Sequence, residues 1–291
     1  MCHNHRAGFY PTCLYPLPMA MPPRIGQRCN LSLPMNNIEQ QIHNKLNELC
    51  RARDCQLLLA VESGSRAWGY ASQDSDYDVR CVYWHPQSRY LSLYPLRDTI
   101  EWELNEVFDI NGWELRKALL MAYHSHLTIF EWCDSPICYR SSLWHAEFRA
   151  VIRRLMQPER LAGRYVGLAA ACYRRELNKE RPVYKKYLYA VRALLAARWV
   201  MQEQAPAPVP FAPLREQFLP AAMQDAVSEL LYLRNNGTEK AAGPPHTAVL
   251  RWIEQQIDTL RGQLPDHKSL PLPDLTEADA FFRRVVTADN A

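Results

Sequence analysis

The stretch ESGSRAWGYASQDSDYDVRCVY, residues 62–83, contains a Gly-Ser pair at 64–65 and, after ten intervening residues, an Asp-x-Asp at 76 and 78. The segment 77–84 alternates apolar and polar residues and is predicted to be a strand. Residues two apart on a strand project from the same face, so Asp76 and Asp78 are expected side by side. Adjacent carboxylates repel one another, and divalent cations between them relieve that repulsion. The pair therefore predicts a metal site.

The Gly-Ser pair follows an apolar run, CQLLLAVE (55–62), that predicts a buried strand, and the pair is predicted to turn the chain into a short helix. Gly64 lets the backbone approach a phosphate closely, and Ser65 offers a hydroxyl and backbone N–H groups to a triphosphate. Arg66 and Arg80 bring positive charge to the same neighbourhood. Two magnesium ions can clamp the attacking and leaving oxygens of a displacement on phosphorus. The combination predicts nucleotidyl transfer.

Each of these residues also has a plainer structural interpretation. The composition of QDSDYD is typical of an Asp-rich turn, and Arg66 also suits a solvated helix position. Arg80 follows Asp78 by two residues and is expected on the same strand face. Because burial of an unpaired arginine is costly, Arg80 is expected either to pair with a carboxylate or to contact the substrate.

The pattern Gly-Ser, ten residues, Asp-x-Asp resembles the signature of the DNA polymerase β-like nucleotidyltransferase superfamily. The longer form, GSRAWGYASQDSDYDVRCVY, resembles one branch, the RNA repair pathway DNA polymerase β family. The resemblance continues in NGWELRKALLM (111–121), IFEWCDSPICY (129–139) and KKYLYAVRALLAARW (185–199). It covers roughly residues 55 to 200, and the C-terminal tail matches only loosely.

This resemblance implies an α+β fold, in which a mixed sheet flanked by helices is followed by a C-terminal helical domain. It implies that Asp76 and Asp78 bind magnesium or manganese. It also implies that Gly64 and Ser65 hold the triphosphate of an NTP, and that a third carboxylate on a later strand completes the site.

The later strand is predicted in DTIEWELNEVFDI, residues 98–110, which alternates apolar and polar residues and precedes a predicted helix at 111–123. Asp109 is flanked by apolar residues, as a strand-borne metal ligand should be, and Glu106 is its competitor. The resemblance favours Asp109 as the third catalytic carboxylate and metal ligand.

The family name implies an RNA end as the acceptor of the nucleotide. Minimal enzymes with the same motif instead transfer AMP to a partner protein, and a non-catalytic nucleotide-binding protein on the same fold is a further alternative. The near-neutral balance of 34 basic and 31 acidic residues mildly favours a protein acceptor, because nucleic-acid binders usually show a basic stripe. Nine scattered cysteines without C-x-x-C spacing and the lack of a long apolar run predict a cytoplasmic protein without a membrane partner.

The composition along the chain predicts three regions. A poorly ordered leader is expected at 1–35, a nucleotidyltransferase catalytic domain at 36–140 and a helical domain at 141–291. The Pro-rich segment APAPVPFAP, 205–213, is predicted to be a loop, because proline recurs too often there for a helix.

One helix of the predicted helical domain has a face that suits a substrate. Lys185, Tyr189 and Arg192 are spaced i, i+4, i+7 and lie on one side of this helix. The resemblance suggests that the helical domain closes over the nucleotide, so all three are predicted to contact it. An ordinary solvated face is the alternative, and Glu131 is expected to brace the junction between the two halves.

Overall fold

A computed structural model of the protein describes residues 37–238, 240–266 and 270–288. The predicted leader, residues 1–35, lies outside the described residues. The described residues form one compact unit. In the described part of the chain, no helix has the length and apolar character needed to cross a bilayer.

Five strands form one mixed sheet, in the order β3-β4-β2-β1-β5. The strands are β1 (Gln56–Glu62), β2 (Tyr77–Trp84), β3 (Thr99–Leu104), β4 (Phe108–Glu114) and β5 (Cys138–Ser141). The pair β2 and β4 is parallel, and the other pairs are antiparallel. Strand β1 lies inside the sheet and is buried on both faces, which explains its continuous apolar run.

The helices cover both faces of the sheet and then form the helical half of the protein. They are α1 (Asn37–Arg53), α2 (Gly64–Trp68), α3 (Gln87–Tyr90), α4 (Leu115–Tyr123), α5 (Leu127–Cys133), α6 (His145–Arg154), α7 (Pro158–Cys172), α8 (Tyr184–Glu203), α9 (Phe211–Phe218), α10 (Ala221–Asn235), α11 (Thr247–Gln263) and α12 (Thr276–Thr287). A π-helical turn, Tyr173–Leu177, continues α7. The α+β architecture with helices after the sheet confirms the predicted fold class.

Two hydrophobic clusters hold these layers together. On one face of the sheet, Ile42, Leu46 and Leu49 of α1 pack against residues of β1, β2 and β4. On the other face, Leu58 and Val61 of β1 belong to a larger cluster that extends through α7, α8 and α11. The sheet and the helical half therefore share the larger cluster, and the division into domains at 140–141 stays a prediction.

The prediction of a single strand over 98–110 is wrong, because the chain turns back within it. The Asn105 side chain accepts hydrogen bonds from the backbone N–H groups of Val107 (2.8 Å) and Phe108 (2.7 Å). Such an asparagine turn ends β3 and starts β4 as its antiparallel neighbour. Strand β4 then runs to Glu114, whose carboxylate caps α4, so the helix begins four residues later than predicted.

The Pro-rich segment is a shorter loop than predicted and is packed against the core. Helix α9 begins at Phe211, and Pro213 is tolerated in its first turn because no intrahelical hydrogen bond is required there. Ala207 and Val209 of the loop are buried. The loop is therefore part of the packed structure beside α8.

Candidate active site

Asp78 and Gly64 lie against each other where β1 ends and β2 begins. Gly64 has φ 60°, in the left-handed region, and a Cβ at this position would collide with Oδ2 of Asp78. The backbone N–H of Ser63 donates to the carbonyl of Asp78 at 2.8 Å. Glycine is thus required both by the turn and by the closeness of the carboxylate.

The Gly-Ser turn, the Asp pair and helix α8 meet in one cleft of about 220 Å³. Its lining residues come from both halves of the protein and are Gly64, Ser65, Trp68, Tyr70, Asp76, Asp78, Lys185, Lys186 and Tyr189. Six of the predicted site residues are therefore brought together. Trp68, Tyr70 and Lys186 were not among the predicted site residues, although Trp68 and Tyr70 lie within the motif.

Arg66 holds the loop that carries Asp76. Its Nε donates to the carbonyl of Asp76 at 3.0 Å, and its Nη2 donates to the carbonyl of Ser75 at 2.6 Å. Its guanidinium also lies 3.8 Å from the centre of the Tyr77 ring. The structure therefore gives Arg66 a positioning role, and its contact with a phosphate stays a prediction.

Arg80 pairs with two carboxylates, which is one of its two predicted roles, and its contact with the nucleotide stays a prediction. Asp78 on β2 and Asp109 on β4 are register partners on parallel strands. Nη2 of Arg80 lies 2.7 Å from Oδ1 of Asp78 and 2.6 Å from Oδ2 of Asp109. Glu106, the competing third carboxylate, is exposed in the turn between β3 and β4.

Asp76 and Asp78 line the cleft and have the donor chemistry that a divalent cation requires, while Arg80 binds one oxygen of Asp78 and one of Asp109. Within the described ranges, no group of three histidine, cysteine, aspartate or glutamate side chains is arranged to hold a metal. Burial raises the pKa of Asp78; Arg80 opposes the rise, and the charges of Asp76 and Asp109 add to it. A bound cation would compensate this excess of negative charge, so the two cleft carboxylates fit it.

Glu62, the last residue of β1, supports Asp78 from below and was not predicted as a site residue. It is completely buried. Its Oε1 accepts a hydrogen bond from the backbone N–H of Asp78 at 2.9 Å, and its Oε2 accepts one from the hydroxyl of Tyr139 at 2.6 Å. Burial raises the pKa of Glu62 to about 7. The sequence feature that could have identified Glu62 is its position, as a charged residue at the end of an apolar strand just before the Gly-Ser turn.

Arg192 is buried away from the cleft, which corrects the prediction that it contacts the nucleotide. Its side chain is 3% exposed. Nη1 donates to Oε1 of Glu131 at 2.9 Å, while Nε and Nη2 donate to the carbonyl of Val209 at 3.1 and 2.9 Å. Helix α8 is buried on most sides. Arg192 therefore lies in the core, although its spacing predicted that it would share an accessible helix face with Lys185 and Tyr189.

The buried ion pair between Arg192 and Glu131 holds the aromatic wall of the cleft. The guanidinium lies 4.7 Å from the centre of the Trp68 ring, and Nε1 of Trp68 donates to Oε2 of Glu131 at 3.3 Å. The Trp68 ring is in turn 5.4 Å from the ring of Tyr189. Glu131 therefore braces the junction between the two halves through Trp68.

Lys185 brings positive charge to the carboxylate end of the cleft. Burial lowers its pKa, as do the nearby cations Lys186 and Arg234, while Asp76 and Asp78 act in the opposite direction. A lysine in such basic and partly buried surroundings gains from the approach of an anion. The cleft thus combines carboxylates, cations and aromatic rings in one place.

A mixed sheet that presents an Asp pair beside a Gly-Ser turn defines the chain as nucleotidyltransferase-like. More specifically, it belongs to the RNA repair pathway DNA polymerase beta family, whose profile matches residues 38–284. This confirms the resemblance and extends it through the C-terminal helices. The uncharacterized protein YcgL of Bacillus subtilis (strain 168) is 32% identical over 225 residues, 77% of this chain and 86% of that protein. A crystal structure of a nucleotidyltransferase-like protein from Exiguobacterium sibiricum 255-15 matches over 86% of this chain and 79% of that chain, with 11% identity and a TM-score of 0.29.

Proposed function

We propose that this protein is a metal-dependent nucleotidyltransferase that transfers an NMP from an NTP to a hydroxyl at an RNA end and releases pyrophosphate. The observation that carries the proposal is the single cleft that joins Asp76 and Asp78 to Gly64, Ser65 and Lys185. Carboxylates for a cation and a lysine for phosphate oxygens lie there within the reach of one triphosphate.

The residues of the cleft divide the work between its two ends. Asp76 and Asp78 would hold magnesium or manganese, which supplies Lewis-acid stabilisation of the transferring phosphoryl group. Ser65 and Lys185 bind the triphosphate oxygens, and the rings of Trp68 and Tyr189 offer stacking surfaces for the base. The acceptor oxygen forms a bond to the α-phosphorus while the bond to the pyrophosphate oxygen breaks. Positioning and charge stabilisation supply most of the catalysis.

Asp109 is proposed as the third catalytic carboxylate. It lies beside Asp78 in the parallel pairing of β2 and β4, so it needs no movement of the sheet to join the site. Its Oδ2 is bound to Arg80 in the described conformation. Arg80 must therefore release Asp109 or share it when a cation binds between the carboxylates.

The family description supports RNA as the acceptor. A direct test uses NTPs labelled at the α-phosphate, magnesium, and two RNAs that differ only in carrying a 3′ hydroxyl or a 3′ phosphate. We expect label on the hydroxyl-ended RNA alone, and none with the D78N variant. Label on added cell protein and not on RNA would replace the acceptor, whereas no transfer to either acceptor would contradict the proposed reaction.

A further inference from the structure

Tyr70 belongs to the wall of the cleft and has a hydroxyl whose role is unexplained. The residue lines the cleft and is only 3% exposed. Its hydroxyl oxygen is buried and has no hydrogen-bond partner within the described part of the chain. Because burial of a hydroxyl without a hydrogen bond is unfavourable, such a group in a binding cleft points to a ligand.

Other buried tyrosines of this protein show the ordinary arrangement. The hydroxyl of Tyr83 donates to the carbonyl of Arg97 at 3.1 Å, and that of Tyr165 donates to Oε1 of Glu131 at 2.9 Å. Each of these hydroxyls recovers in the folded protein the hydrogen bond that it loses to water. Tyr70 is buried as they are, but its hydroxyl has no hydrogen-bond partner among the described residues.

The ring of Tyr70 is held in place from two sides. Its centre lies 5.8 Å from the ring of Trp68, and Phe211 packs against it edge-on at 5.8 Å. Burial raises the pKa of Tyr70, so the hydroxyl stays protonated and can both donate and accept a hydrogen bond. Since neighbouring rings restrain the side chain, a partner has to come to the hydroxyl.

We propose that the Tyr70 hydroxyl hydrogen-bonds the edge of the nucleobase and determines which NTP the cleft selects. This inference rests on the proposed function. Ser65 and Lys185 are the proposed ligands of the phosphates, whereas Trp68 and Tyr189 provide the aromatic faces on which a base stacks. A site that hydrogen-bonds its ligand rejects an analogue lacking that group, because the buried polar group of the protein is then left unpaired.

The Y70F variant tests the proposal by calorimetric titration of the full chain with α,β-methylene analogues of the four NTPs in magnesium. We expect the wild type to prefer one base. In Y70F this preferred analogue should bind roughly threefold to tenfold more weakly, the loss of one neutral hydrogen bond, while the others change little. The melting temperature of the free variant should stay the same or rise, because an unpaired buried hydroxyl has been removed.

The Y83F variant is the matched control. It removes a hydroxyl that is paired with a backbone carbonyl, so its melting temperature should fall while the order of nucleotide affinities stays that of the wild type. Unchanged base selectivity in Y70F, or a lowered melting temperature of the free variant, would overturn the inference and leave the proposed function intact. If the wild type bound none of the four analogues, the proposed function would fail together with it.

Discussion

The cleft has a sheet wall, formed by Gly64, Asp76 and Asp78, and a helical wall, formed by Lys185 and Tyr189 of α8. The sheet wall lies within fifteen residues of sequence, and its geometry follows from a tight turn and strand pairing. The helical wall is more than a hundred residues away, and its orientation depends on how α8 packs. Substitutions in the sheet wall are therefore expected to reduce activity. The helical wall also depends on buried groups, whose substitution is expected to reduce stability.

The D78N variant should have the largest effect on activity. If it unfolded the protein instead, the distinction between a catalytic sheet wall and a stabilising helical wall would be wrong. We expect a loss of activity of roughly a thousandfold or more, since a metal-binding carboxylate contributes several kcal/mol to the transition state. The pKa of Asp78 is raised in the folded protein, so its charge opposes folding at neutral pH. The melting temperature without metal should accordingly not fall.

E106Q is the control for this experiment, because Glu106 is an exposed carboxylate of the β3–β4 turn. It should keep nearly full activity, while D109N should lose most of it. If E106Q lost activity and D109N kept it, Glu106 and not Asp109 would be the third catalytic carboxylate.

The R192M variant should show the opposite behaviour to D78N. Removal of one partner of a buried ion pair leaves Glu131 uncompensated and costs about 3–5 kcal/mol. Denaturant unfolding followed by circular dichroism measures this loss. K185M, on the same helix, is the control: it should unfold like the wild type and bind NTP about tenfold more weakly. Equal stability of R192M and K185M would contradict the distinction within α8.

A pair of glycine substitutions sharpens the account of the sheet wall. G64A and G69A both place a side chain at positive φ, but only the Cβ at position 64 meets Asp78, whereas position 69 has no atom within 4 Å. Both should lose about 1 kcal/mol of stability from the positive φ, and G64A should lose more because its Cβ displaces Asp78. In activity assays G64A should lose about a hundredfold through displacement of the carboxylate, and G69A should lose little. Similar activities would mean that the closeness of Gly64 and Asp78 has no catalytic importance.

The smallest effect concerns pH. The pKa of Glu62 is about 7 in the folded protein, against its ordinary 4.5, so the folded state binds more protons between these values. This contribution to stability is complete below about pH 4.5 and is lost as pH rises through 7. Unfolding free energy should therefore fall by on the order of 2 kcal/mol from pH 5 to pH 8. E62Q should flatten that dependence. If the slope of unfolding free energy against pH stayed unchanged in E62Q, groups other than Glu62 would cause it.

Much of the sheet wall could be predicted from the sequence, because strands have a simple geometry. Strand β2 has the predicted bounds, and the spacing of the motif brought Gly64, Ser65, Asp76 and Asp78 into one cleft. The missed turn at Asn105 has a local cause. Apolar and polar residues alternate on both sides of the turn, so the hairpin has the sequence pattern of one long strand.

What the sequence by itself determined was the family, the fold class and the carboxylate end of the cleft, since these depend on local spacing and strand periodicity. The tertiary structure alone decided the roles of Arg192 and Tyr70. Eleven of the twenty residues of α8 are buried, so helical periodicity no longer distinguishes a cleft face from a core face. Whether a buried guanidinium or hydroxyl finds a partner depends on residues distant in the chain, as Glu131 and Val209 are from Arg192.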